Sequence, residues 1–338
     1  MTAASTDATP PAGQRGGRGW LVGPWFDALL IANVAWPLVV LAQLGDGFAG
    51  REGVSFWQVY FITTPHRWIT LALVFFDSER FGQRRAAFLG VAAAITAVVL
   101  GVRFSTGALT CLLAIDYVWN AWHFAAQHHG IYRIYSRQSE PARKRGLLAE
   151  KWLLRLFLLW VILRIAMATS PAGRWDAWLQ VGDWLAAAAA VALVASDLWR
   201  TGGAIGGRSL YLLSVCGLYL AILWAVHTRA LAWVLPLATA SALFHAIEYL
   251  SLVAWNVRRQ HAVRASAMGL LGYLAPRWAL ALGLFLLILG SAGWLLEHQW
   301  LQVWLTLNVI VAFCHYAYDG MIWGRRAAPA AGGSYAAT

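Results

Sequence analysis

Long runs of apolar residues recur along the chain, separated by short polar connections. They lie near 25 to 44, 55 to 77, 86 to 102, 107 to 128, 152 to 169, 182 to 198, 209 to 226, 231 to 255, 278 to 296 and 300 to 323. Each approaches the roughly 20 residues that a helix needs to cross a hydrocarbon core of about 30 Å. A helix satisfies its own backbone polar groups in lipid, where water cannot. The pattern therefore predicts an all-α fold, a polytopic transmembrane helical bundle of about ten helices. Composition agrees, since 60% of the 338 residues are hydrophobic and 12% charged, more than the surface of a water-soluble domain this size would sustain.

The basic residues give the orientation. Cytoplasmic loops of membrane proteins are enriched in Lys and Arg. Alternate connections hold Arg15 and Arg18; Arg80, Arg84 and Arg85; Arg133, Arg137, Arg143, Lys144, Arg145, Lys151 and Arg155; Arg200 and Arg208; Arg258, Arg259, Arg264 and Arg277; and Arg325 and Arg326. The intervening connections hold Arg51, Arg103, Arg174 and Arg229, which leaves Arg67 and Arg164 within spans. This parity predicts both termini in the cytoplasm; the expected location is the bacterial inner membrane. It also accounts for the net charge of +11 as a basic inner face near anionic lipid, with no need of nucleic acid.

Residues 1–19 and 327–338 are rich in Ala and Gly, the first stretch also in Pro and Thr; both read as disordered cytoplasmic tails. Residues 20–326 read as a single transmembrane bundle domain. Cys111, Cys216 and Cys314 lie within spans and give no disulfide framework.

Ionisable side chains inside a bilayer are costly, face the bundle interior and mark a functional site by default. His66, His123, His245 and His315 fall in four even-numbered spans, with Glu248 and Asp319 beside the last two. His66 is 14 residues from Arg80, His123 10 from Arg133, His245 13 from Arg258 and His315 10 from Arg325. At about 1.5 Å per residue, the four imidazoles share one level, roughly 15 to 20 Å from the inner basic rim.

Helical spacing supplies partners. Asp116, Asn120, His123 and Gln127 form one polar stripe, and His66, Thr70 and Asp77 repeat its offsets. His245 and Glu248 share a face at i, i+3; His315 and Asp319 do so at i, i+4. Beyond His123 come His128, His129 and Gly130. Gly130 is placed to end the helix in the left-handed conformation. His128 is turned about 140° from His123 on an ideal helix, so the two serve one centre only if the last turn unwinds. Otherwise His129 caps the helix end or a second centre exists.

Neutral imidazole is the commonest metal ligand, and histidines with carboxylates suit non-haem iron with open positions for oxygen. Bundle-core metal sites are built from inward side chains of several helices. The expected ligands are His66, His123, His245 and His315, with Glu248, Asp319 and His128 added if the iron centre is dinuclear and not mononuclear. Asp77, Asp116, Gln127 and His129 are expected to orient imidazoles. Arg67, beside His66, is expected to pair with Glu248 or Asp116, the other reading being a hold on a substrate carboxylate or phosphate. Arg164 is expected to snorkel at the outer membrane surface.

At these residues the chain resembles the histidine-rich integral-membrane non-haem iron enzymes. His123, His128 and His129 approximate the histidine boxes of lipid desaturases and hydroxylases. Pro65-His66 and His123-Phe124 are similar to the PH and HF dipeptides of the Brp/Blh-type carotenoid cleavage dioxygenases, which disperse single histidines over separate helices. The resemblance implies oxygen-dependent hydroxylation, desaturation or oxidative cleavage of a membrane lipid or isoprenoid, with an electron-donor protein on the cytoplasmic side. Two rivals stand beside it. One is a haem b cytochrome with paired histidine ligands; the other is a proton-coupled transporter, in which discontinuous helices are expected at the site.

Overall fold

The computed structural model describes residues 19–45, 51–140, 146–168 and 175–323, with the side chains of 51–53 set aside. Most of both tails and the basic residues Arg143, Lys144 and Arg145 lie outside the described residues. The described residues contain no strand, and every apolar run is largely helical where it is described, the first being interrupted at 32–35. Five helical stretches are long and apolar enough to cross a membrane: Arg85–Thr106, Asp176–Arg200, Gly207–His227, Leu231–Met268 and Leu270–Trp323. A sixth is reached if Pro24–Ile31 and Trp36–Leu44, bent by 41°, act as one span. Trp25, Phe104, Trp178 and Trp199 expose most of their side chains, as residues facing lipid do. The chain is thus an integral membrane protein by its helices.

The last stretch carries two of the apolar runs. Trp300, at φ −140° and ψ 57°, breaks the helical path inside Trp278–Trp323. The break follows Glu297, His298 and Gln299, the polar residues that separate the two runs in sequence.

The chain packs into two compact units, one of residues 1–38 and 125–244, the other of 39–124 and 245–338. In the first, Leu147–Ala166, Asp176–Arg200 and Gly207–His227 pack on one another, and their buried charges are neutralised in pairs. Arg164 does not snorkel: it is buried and grips Asp183 with two hydrogen bonds of 2.9 and 3.0 Å. A buried carboxylate on the neighbouring helix offers the guanidinium a fork-shaped partner, which lipid headgroups at the end of a snorkelling path would supply less rigidly. Asp197 takes Arg208 at 2.8 Å and the Ser209 hydroxyl at 2.6 Å, and Glu150 takes Arg200 at 3.0 Å.

In the second unit, Trp278–Trp323 packs along Thr64–Phe75 and Arg85–Thr106. Ile69, Leu73, Tyr249, Val253 and Trp278 make one core; Val99, Leu112, Val309, Phe313 and Tyr316 make another. Before Thr64–Phe75 the backbone runs as a π-helix over Gln58–Thr63. Pro65 occupies the first turn of the following helix, where its missing N–H costs no helical bond. Wide π turns inside helices recur at functional sites, and this one delivers His66.

Candidate metal centre

Four helical segments of the second unit each bring one imidazole to a common point. His66, His123, His245 and His315 are all buried. Ring centroids of His66 lie 5.2 Å from His245 and 5.1 Å from His315, and those of His123 lie 5.1 Å from His245 and 4.7 Å from His315. Two groups of possible ligand atoms each fall within 4.8 Å, His66 with His245 and His315, and His123 with His315 and Asp319. His315 belongs to both.

The hydrogen bonds fix which nitrogens are available. His66 Nδ1 is bonded to the Thr63 carbonyl, three residues back at the end of the π turn. A carbonyl only accepts, so Nδ1 carries the proton and Nε2 keeps its lone pair. Around His315 a longer chain gives the same answer. Tyr249 donates to the Asp319 carboxylate at 2.7 Å. With its proton so used, the Tyr249 oxygen accepts from the Thr70 hydroxyl at 2.7 Å. Thr70 Oγ1 must then accept from His315 Nδ1 at 2.6 Å, which leaves His315 Nε2 without a proton. That nitrogen lies 3.1 Å from His123 Nε2. A proton carried by His123 Nε2, or a cation between the two nitrogens, accounts for this separation. The Asp319 Oδ2 atom is 3.8 Å and 3.9 Å from the same two nitrogens.

Aromatic side chains close the walls. Phe124 stacks on His245 with centroids 3.7 Å apart. Tyr316 lies 5.0 Å from His123 and gives its hydroxyl to Asp116 at 2.9 Å. The second group in the sequence stripe, Asn120, sits 3.1 Å from the same hydroxyl.

The remaining candidates have other places. Glu248 is fully buried in the same unit but in neither ligand group. Asp116 touches Tyr316 and so acts on the imidazoles one step removed. Asp77 is engaged elsewhere than at an imidazole: it caps Ser78–Gln83 by accepting from the Arg80 N–H and pairs with Arg264 at 2.6 Å. The helix does not stop at Gly130 but runs unbroken over Thr110–Ser139, because Tyr132, Tyr135 and Ser136 beyond it are buried within the first unit. Without unwinding, His128 stays on a different face from His123. It is held in the first unit by Tyr211 at 2.9 Å and Tyr219 at 3.5 Å. His129 stands beside Arg155 in that unit, and Gln127 belongs to it as well. Arg67 forms no ion pair with Glu248 or Asp116, and its buried Nε has no hydrogen-bond partner among the described residues.

The sequence pattern does not mark Thr63, Tyr249 and Tyr316 as site residues, and it marks Phe124 only as part of a dipeptide. Tyr249 and Thr70 each lie one helical turn beyond a histidine of the centre, and that spacing is the signal that points to Tyr249.

The chain matches no family model, no curated protein and no solved structure.

Proposed function

We propose that this is an integral-membrane metalloenzyme with non-haem iron, carrying out oxygen-dependent hydroxylation, desaturation or oxidative cleavage of a lipophilic substrate. The observation that carries the reading is the approach of four buried imidazoles and one carboxylate in one unit, with the proton-free Nε2 atoms of His66 and His315 fixed by hydrogen bonds. Iron is preferred because imidazole and carboxylate together suit it and leave positions for oxygen. The iron, when bound, supplies the oxygen chemistry; the protein holds the ligands, excludes water behind Phe124 and Tyr316, and admits substrate from the bilayer.

The topology proposed with it is about ten spans, with both termini in the cytoplasm, in a bacterial inner membrane. The basic connections support it, as does the presence of helix at every apolar run. An electron donor would then dock on the cytoplasmic side.

Ring contact among the imidazoles speaks against haem b. A porphyrin would have to part rings that already pack on one another, since the centroids of His66 and His123 each lie 4.7 to 5.2 Å from those of His245 and His315. Elemental analysis and a visible spectrum of purified protein test the proposal. Stoichiometric iron without a Soret band is the expected result; a Soret band, or no bound metal after purification from iron-replete cells, overturns it.

A further inference from the structure

Arg67 follows His66 on the helix Thr64–Phe75, and its buried Nε has no hydrogen-bond partner among the described residues. Its helix ends at Phe75, eight residues on, so about 12 Å of helix separates it from that end. The side chain as a whole is partly buried. A charge at this depth is expensive unless it is paired.

The other interior arginines obey that rule. Arg164 has Asp183, Arg200 has Glu150, and Arg208 has Glu140 and Asp197. Arg67 has no carboxylate partner among the described residues, although Asp116 and Glu248 lie in its own unit. Asp116 is engaged by the Tyr316 hydroxyl. The neighbouring Trp68 adds a second buried donor without an acceptor at its indole nitrogen. A cation placed beside a centre that would hold a metal ion adds like charge, which an anion between them relieves.

We propose that Arg67 is the receptor for the oxyanion head of a long-chain amphiphile, a carboxylate or a phosphate, and that this head enters the membrane-embedded centre first. The inference rests on the metal-centre reading for its chemistry, but not for the binding itself. It gives the substrate a class and an orientation: a single-chain anionic lipid whose first carbons, and not its far end, face the imidazoles. Guanidinium suits either head, because its planar fork pairs with carboxylate or phosphate by two hydrogen bonds. Uncharged isoprenoids lack the group that Arg67 requires.

The test is equilibrium binding of three radiolabelled probes, hexadecanoic acid, hexadecyl phosphate and hexadecanol, to the full chain in a neutral detergent. The wild type is expected to prefer at least one anionic probe over the alcohol by about ten-fold or more, the low end for a charge-assisted hydrogen bond. The acid and phosphate arms identify the head. Arg67→Met should abolish the preference, and Arg67→Lys, which keeps charge and solubility but not the fork, should retain part of it. Equal binding of acid, phosphate and alcohol by the wild type overturns the proposal, as does a preference that survives in Arg67→Met. Should Arg67→Met not fold, a preference undiminished in Arg67→Lys and Arg67→Gln overturns it equally. Iron measured on the same wild-type samples reports separately on the metal centre: an Arg67-dependent preference in metal-free protein keeps the anion site and rejects the iron.

Discussion

The Nε2 atoms of His123 and His315, 192 residues apart in sequence, lie 3.1 Å from each other inside the second unit. Because His315 is common to both ligand groups, the histidines are not equivalent. His315→Ala should abolish iron binding, whereas His66→Ala and His123→Ala each leave one group incomplete and the other intact. We expect iron per chain near zero for His315→Ala and a reduced but measurable content for the other two, by elemental analysis of folded, monodisperse protein. Equal iron in all three variants would count against a shared ligand.

The Tyr249 ring packs edge-on against His66 and His315, with centroids 5.9 and 5.4 Å away, but its hydroxyl acts on the imidazoles through other side chains. Its hydroxyl ties Asp319 to Thr70 and, through Thr70, sets the proton on His315. Tyr249→Phe removes that link while leaving the packing of the ring. Groups that orient metal ligands typically contribute about 10- to 100-fold in affinity, and a loss of that size is expected in a competitive iron titration. Stability should fall by about 1–3 kcal/mol, the cost of leaving buried partners unsatisfied. Thr70→Ser should retain affinity and Thr70→Val should not; identical titrations for those two variants would dismiss the relay of hydrogen bonds.

The sequence made the helices and the level of the imidazoles legible for one reason: membrane thickness and the basic rim impose a common ruler on every span. Counting from Arg80, Arg133, Arg258 and Arg325 therefore brought four distant histidines into register. Nothing comparable encodes lateral partners. Asp77 shares the His66 stripe at helical spacing, yet the chain leaves the helix at Phe75 and Asp77 turns to cap the next one. Arg67 had two carboxylates available by composition and pairs with neither. Gly130 reads as a stop by local propensity, and tertiary burial of Tyr132 and Tyr135 overrides it.

Asp77 makes acid sensitivity predictable where Thr64–Phe75 gives way to the next helix. Burial raises its carboxyl, but hydrogen bonds from Arg264 and the Arg80 N–H, with the charges of both arginines, outweigh it and hold the group below the ordinary 3.8. A depressed folded value means that Asp77 stabilises the native state above the ordinary carboxylate range, and that this contribution disappears as pH falls through the folded value. Thermal unfolding should thus lose stability below pH 3.8 more steeply in the wild type than in Asp77→Asn. At neutral pH, Asp77→Ala should cost about 1 kcal/mol from the lost cap alone, with more from Arg264. Parallel pH profiles for wild type and Asp77→Asn would show that the pair contributes nothing.

Gly290 connects packing to the centre. A Cβ there would meet the Phe61 ring at 2.5 Å and the Tyr60 carbonyl at 2.9 Å. Both residues belong to the π turn over Gln58–Thr63, whose last carbonyl holds His66 Nδ1. The backbone carbonyl cannot swing aside as a side chain can, so Gly290→Ala must displace the turn. Overpacking of this kind costs about 1–3 kcal/mol, and the displaced turn should also weaken iron binding. Gly293 provides the contrast, because its added Cβ would meet the Trp304 side chain at 2.7 Å, away from the His66 turn. Gly293→Ala should destabilise the protein by a similar amount and leave iron affinity unchanged. Gly283, with nothing within 4 Å of an added Cβ, should accept alanine with no loss of either, and gain slightly in helix propensity. Thermal unfolding and iron titration of the three variants separate a general cost of crowding from one transmitted to the imidazole, and equal iron affinity in Gly290→Ala and Gly293→Ala would refute the transmission.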